Sequence, residues 1–169
     1  MPDIIVRYVR VVDNFNRRVG IFAMYLVFAM LAILLYSSVS KAFLLPANWT
    51  LESAQFTMAA YYMLGGAYAM QLGDHVRMDL FYSRWSLKRR AITDSITAIC
   101  LIGYLGFMLY GGIASSTYAI AFKEKSFSSW APYMAPIKII MTIGVLMMLL
   151  QAFSALFKDI AEARGRPIA

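Results

Sequence analysis

The sequence predicts an all-α integral membrane protein of four transmembrane helices, with both termini in the cytoplasm. Three observations carry that prediction. The chain of 169 residues is 61% hydrophobic and only 15% charged, well above the roughly 45–50% apolar content usual in soluble domains. Its apolar residues gather into four runs, and each reaches the about 20 helical residues needed to cross a hydrocarbon core roughly 30 Å thick. The basic residues are spread unevenly among the connecting segments, which is the pattern that orients a membrane protein. Strands are excluded, because an open sheet edge in lipid leaves backbone groups unpaired and the alternation of a membrane barrel is missing.

In chain order, residues 1–18 come first. Asp3, Arg7, Arg10, Asn14 and Arg17 recur at helical spacing, with Ile4, Ile5, Tyr8, Val12 and Phe15 largely opposite. That amphipathic pattern predicts a helix along the cytoplasmic interface, its arginines near anionic headgroups. The first span covers about 19–40. Its apolar stretch is longer than the roughly 7–15 residues of a signal-peptide core, so it is expected to stay in the chain. The second span covers about 53–72. Residues 73–90 form a cytoplasmic loop in which Met78, Phe81, Tyr82 and Trp85 repeat at i, i+3, i+4 and i+7, the spacing of a short interfacial helix. Ser86 then offers an N-cap for the third span.

The third run, about 91–122, would make a helix of roughly 48 Å, longer than the bilayer core. It must tilt, bend or protrude, with Gly111 and Gly112 as a place to bend and residues 115–122 as an outer extension. The fourth span covers about 136–157, and 158–169 form a cytoplasmic tail. The whole of 1–169 reads as one membrane domain. Twelve Lys and Arg fall in the N-terminal segment, the central loop and the tail, against Lys41, Lys123, Lys125 and Lys138 on the other side. The crowded side is therefore cytoplasmic. Trp49, Trp130 and Tyr133 mark the outer interface, and Tyr82 and Trp85 the inner one.

The chemistry is defined by what is missing. No span carries Asp, Glu, Lys, Arg or His in its middle; Gln55, Gln71 and Gln151 are polar exceptions toward the ends. Intramembrane ionisable groups are the usual sign of proton relays and ion pathways, so the chain is not expected to drive coupled transport alone. His75 is the only histidine and lies in a loop, which leaves no axial pair for haem and no Ser-His-Asp arrangement. Cys100 is the only cysteine and reads as a small buried hydrophobe. No enzyme activity and no cofactor are expected. The formal net charge of +7 sits between apolar runs rather than on a soluble reading face, so nucleic acid is not expected as a partner.

Small residues point to helix packing. Ala59, Ala60, Gly65, Gly66, Ala67 and Ala69 crowd the second span, and Gly103, Gly106, Gly111, Gly112, Ala114, Ser115 and Ser116 the third. These two spans are expected to touch each other or a partner helix. The fourth span and much of the first look lipid-facing.

Trp49-Thr50-Leu51-Glu52, then Gly73-Asp74-His75-Val76-Arg77-Met78-Asp79-Leu80, Ser83-Arg84-Trp85-Ser86 and the segment 130–138 together resemble the DctQ-type small membrane subunit of tripartite ATP-independent periplasmic (TRAP) transporters. The most specific element is Gly-x-His-Val-Arg-x-Asp from Gly73 to Asp79. One departure is Ser53, where that family often has a second acid.

The resemblance implies a small scaffold subunit of a sodium-coupled, binding-protein-dependent secondary transporter for organic acids, in a bacterial inner membrane. The partners it implies are a larger membrane subunit, which holds the sodium and solute sites, a periplasmic solute-binding protein reached mainly through the complex, and membrane lipids. Candidate interface or anchoring residues are Trp49, Glu52, Gly73, His75, Arg77, Asp79, Arg84 and Trp85. For Glu52, a helix-start acid and a pairing with a basic group of the larger subunit both stay open. For Arg77 and Asp79, so do a local ion pair and docking to that subunit. The rival classes are a stand-alone four-helix exporter, which lacks an intramembrane carboxylate, and a membrane anchor of a redox enzyme, which lacks haem ligands.

Overall fold

A computed structural model describes the backbone of residues 3–43, 47–73 and 87–163. Among these residues the regular elements are four helices: α1 (Asp3–Phe43), α2 (Trp49–Leu72), α3 (Leu87–Ala121) and α4 (Ala135–Ala163). Helices satisfy every backbone group within one segment, as a lipid environment demands. The β structure among the described residues is an isolated antiparallel bridge between Lys125 and Tyr133 in the α3–α4 turn.

α1, α3 and α4 are long and apolar enough to cross a membrane, over Ile4–Phe43, Ile96–Ala121 and Ala135–Ala161. α2 has the length, about 36 Å at roughly 1.5 Å per residue, but falls short in apolarity. Glu52, Gln55, Gln71 and three tyrosines lie within it. The reason is its position. α2 packs against both α1 and α4, so less of its surface has to dissolve in hydrocarbon.

The interfacial helix expected over 1–18 is not a separate element. α1 runs unbroken from Asp3 to Phe43. Its N-terminal stretch is held by the protein, because Val9 and Val12 are buried and Tyr8 meets Phe157 of α4 edge to face, ring centroids 6.0 Å apart. Ile4 and Phe15, expected on the same apolar side as Val12, are exposed. α3 starts one turn earlier than the expected Ala91 and continues as helix through Gly111 and Gly112. The interfacial helix expected within 73–90, with the Ser86 cap, lies outside the described residues.

α4 is the central helix. It contacts α3, α2 and α1, while α1 also packs on α2 and α3 leans chiefly on α4. In the most apolar stretches, 33% of α4 is buried within the protein, against 11% of α1 and 6% of α3. The expected lipid-facing character is found on α1 and is shared by α3, while α4 is the most covered of the three and keeps exposed apolar residues at Ile139, Met141, Ile143 and Leu146. Of the two contacts expected for the small-residue spans, with each other or with a partner helix, the bundle shows α2 and α3 each packing on α4. Cys100, expected to be buried, is exposed on α3.

The seams follow a seven-residue repeat. On α3, Ala98, Ile102, Leu105, Leu109, Gly112, Ser116 and Ala119 are covered and follow it, with Gly106 and Ser115 beside them. On α1, Val9, Val12, Asn16, Val19, Ala23, Leu26, Met30, Ile33, Ser37 and Ser40 follow the same alternation of three and four. A sustained repeat of this kind gives left-handed packing at shallow crossing angles. Glycines let the backbones close up. A Cβ added to Gly144 would stand 2.7 Å from the Met63 carbonyl oxygen of α2, and one added to Gly20 would overlap Tyr68 Cβ. Both are closer than real Cβ contacts allow.

Gly144→Ala must push α4 away from α2 and is expected to cost about 1–3 kcal/mol. Gly103→Ala, whose Cβ meets nothing within 4 Å, is expected to be neutral or to stabilise by up to about 1 kcal/mol through helix propensity. Thermal unfolding of the two detergent-purified variants checks this. Equal melting temperatures would contradict the assigned packing.

Candidate functional site

Antiparallel succession of the helices gathers polar side chains at the two ends of the bundle. At one end, α1 and α4 meet. Asn16 Nδ2 donates to Gln151 Oε1 at 2.6 Å, and Gln151 Nε2 donates to Asp13 Oδ1 at 3.0 Å. The same carboxylate oxygen accepts from Ser154 Oγ at 3.1 Å. Asp13 Oδ2 takes an ion pair from Lys158 Nζ at 2.5 Å. Tyr8 adds a hydrogen bond from its hydroxyl to the Leu150 carbonyl, 3.2 Å. Asn16 is 0% and Gln151 2% exposed, so these partners replace water almost entirely. Each amide would be costly to bury alone, and together they lock the register of α1 on α4. Asn16 Oδ1 has no partner.

At the other end, α2 meets the α3–α4 turn. Glu52 sits in the first turn of α2, where the helix dipole favours a carboxylate. Its Oε1 accepts from Ser126 Oγ at 2.7 Å, and its buried Oε2 has no partner. Ser126 is itself held in the turn, its backbone N–H donating to the Pro132 carbonyl at 2.9 Å. The turn is braced by Lys138–Glu124 at 2.5 Å and by Lys125 Nζ, 5.0 Å from the Tyr133 ring centroid. Thr50 Oγ1 lies 2.8 Å from the Ala47 carbonyl oxygen and 3.0 Å from Ser37 Oγ, tying the start of α2 to the end of α1. Trp49 stacks on Tyr36 with centroids 5.6 Å apart.

Between the ends, one hydroxyl pair interrupts the apolar seam. Thr142 Oγ1 donates to the Lys138 carbonyl at 2.8 Å, so the 2.9 Å contact with Ser116 uses the Ser116 proton. Such interhelical bonds contribute on average about 0.6 kcal/mol each in a bilayer.

Of the sequence-predicted residues, Trp49 and Glu52 are adjacent in the first turn of α2, and Gly73 is at its far end. Gly73 has φ 73° and ψ 15°, and its N–H reaches the carbonyls of Ala69 and Met70. That left-handed conformation closes α2 and is strained for residues with a Cβ, which explains a glycine at this position. His75, Arg77, Asp79, Arg84 and Trp85 lie outside the described residues. Asp13, Asn16, Ser154 and Lys158 were not singled out by sequence reasoning. A signal was available for Gln151, an uncharged polar residue inside an otherwise apolar helical stretch, since such a group needs partners; Asn16, between Asp13, Asn14, Arg17 and Arg18, gives none. Among the described residues no group of three His, Cys, Asp or Glu side chains could hold a metal ion.

Removing Asp13 leaves Lys158, Gln151 and Ser154 short of a partner. Asp13→Ala is expected to destabilise by about 1–3 kcal/mol, and a double-mutant cycle of Asp13→Ala with Lys158→Met should give a coupling of about 0.5–3 kcal/mol. A coupling indistinguishable from zero in chemical unfolding would mean that the pair is not formed.

The sequence matches the family described as tripartite ATP-independent periplasmic transporters, DctQ component, over residues 30–162. No curated protein matches it.

Proposed function

This chain belongs to the DctQ family, the small membrane component of TRAP transporters, and from that membership we propose that it is a static brace for the larger membrane subunit. The observation that carries this reading is where its ionisable groups stand. Among the described residues, the carboxylates of Asp13 and Glu124 are spent in pairs with Lys158 and Lys138 at opposite ends of the bundle. Between those ends the helices meet through glycines, alanines and hydroxyls. A polypeptide that couples an ion gradient to solute movement needs ionisable or coordinating groups at mid-membrane depth, whereas a brace needs rigidity. The ends tied by side-chain networks and the close approach of α4 to α2 supply rigidity.

In this reading all four helices span a bacterial inner membrane, with the N-terminal segment and the tail in the cytoplasm. The Asp13–Lys158 pair supports an even number of crossings, since it holds the start of α1 and the end of α4 at the same end of the bundle. The larger subunit carries the sodium and organic-acid sites, and a periplasmic binding protein delivers the solute. His75, Arg77, Asp79, Arg84 and Trp85 form the cytoplasmic docking segment for that subunit. Glu52, with its unpartnered Oε2, and Trp49 contribute at the outer rim.

Proteoliposomes with an inward sodium gradient test the proposal. The larger subunit and the binding protein are expected to accumulate solute only when this chain is co-reconstituted, and this chain alone is expected to accumulate none. Asp79→Ala should weaken co-purification of the two membrane subunits. Gradient-driven uptake by this chain by itself would refute the brace.

A further inference from the structure

At roughly 100° per residue, the first half of α1 divides into three sectors rather than two. One sector, with Val9, Val12 and Asn16, is buried in the protein. A second, with Ile4, Val11 and Phe15, is exposed and apolar. The third holds Arg7, Arg10, Asn14, Arg17 and Arg18, all exposed, within an arc of roughly 100° on the side away from the seam. Among the acids whose side chains are described, Asp13 is the one in this stretch of α1, and its two oxygens are occupied by Lys158, Gln151 and Ser154. Among the described residues none of the four arginines makes an ion pair. Four cations on one strip repel one another and call for an anionic partner.

The chemistry of that partner is set by the residues one to three turns further along the same line of the helix. Ile21, Tyr25 and Phe28 continue the strip toward the middle of the span, and all three are exposed. A molecule lying on this line meets guanidinium groups first and hydrocarbon-compatible side chains next. An anionic phospholipid has that order of groups, with a phosphate at one end and acyl chains at the other. Taking Ile21 as the first residue in hydrocarbon, Arg17 and Arg18 lie about 4–6 Å above it, within the headgroup layer of roughly 5–8 Å per leaflet. Arg10 and Arg7 lie about 16–21 Å above it and reach the lipid only through the screened surface field.

We propose that this strip is an anionic-phospholipid site, with Arg17 and Arg18 contacting the phosphate, Ile21, Tyr25 and Phe28 lying along an acyl chain, and Arg10 and Arg7 adding long-range attraction. It does not rest on the bracing role, since it needs only the membrane and α1. The site is left free because Asp13 is held by α4.

The test uses the full chain reconstituted in phosphatidylcholine, with spin-labelled phosphatidylglycerol and spin-labelled phosphatidylcholine as probes. The native protein is expected to prefer the anionic probe by roughly fivefold or more, the size of one surface arginine's contribution. Arg17→Gln/Arg18→Gln is expected to bring the preference near parity, Arg17→Lys/Arg18→Lys to retain most of it, and Arg7→Gln/Arg10→Gln to reduce it least. Raising salt to about 1 M should abolish the native preference, a reading that needs no variant. Absence of any native preference, or a larger loss from Arg7→Gln/Arg10→Gln than from Arg17→Gln/Arg18→Gln, would overturn the proposal. So would Arg17→Gln/Arg18→Gln abolishing co-purification with the larger subunit while lipid preference is unchanged, which would assign the strip to a protein partner.

Discussion

The close approach of α4 to α2, where Gly144 meets the backbone of Met63, is the contact on which the rest of the bundle depends. Between helices in a bilayer the hydrophobic effect gives little drive, because lipid tails are as apolar as Leu. What remains is van der Waals contact, and contact grows only if backbones come close. Gly144, with Gly66 against Met148 and Gly112 against Thr142, provides that closeness on successive faces of α4. α2 and α3 are thereby held by one element, and α1 joins through its packing on α2 and its polar tie to α4. α3, which leans chiefly on α4, exposes most of its apolar surface.

The two ends solve a different problem. Packing of smooth apolar helices specifies register weakly, since a slip by one turn exchanges one set of methyl groups for another. Polar ties specify it strongly, because a buried amide or carboxylate shifted by one turn loses its partners. Asn16, Gln151, Asp13 and Lys158 do this for α1 and α4, and Glu52 with Ser126 does it for α2 and the α3–α4 turn. A frame registered at both ends suits the bracing role proposed above. The capture of Asp13 by α4 has a second effect: among the described residues it leaves Arg7, Arg10, Arg17 and Arg18 of α1 without an ion-pair partner.

Among the described residues, the four long helices could be read from residue order, although α1 and α4 run well beyond the expected bounds. α2 starts four residues before the expected 53 and stops at the expected 72, because Gly73 supplies the left-handed residue that ends a helix. The joining of 1–18 to the first span was not legible, since basic residues at 7, 10, 17 and 18 imitate an independent surface helix whether or not the backbone continues. Trp49 and Glu52 were each singled out, but the partner of Glu52 was not: Ser126 lies far along the chain in a turn with no distinguishing pattern.

What the residue order determined by itself was the solvent. Long apolar runs, charges confined to the connections and the Gly73–Asp79 pattern are properties of composition and spacing, and they identify a membrane helix protein of this family without coordinates. Only the tertiary structure decided which face of each helix is inside. In water, apolar residues mark the buried face; in lipid the exposed face is apolar too, so the mark is lost. The inner faces of this protein carry Gly, Ala, Ser, Asn and Gln among their larger residues, a distinction of size and polarity that becomes visible when the partner helix is in place. For that reason α4, the most apolar in appearance, proved to be the centre of the bundle.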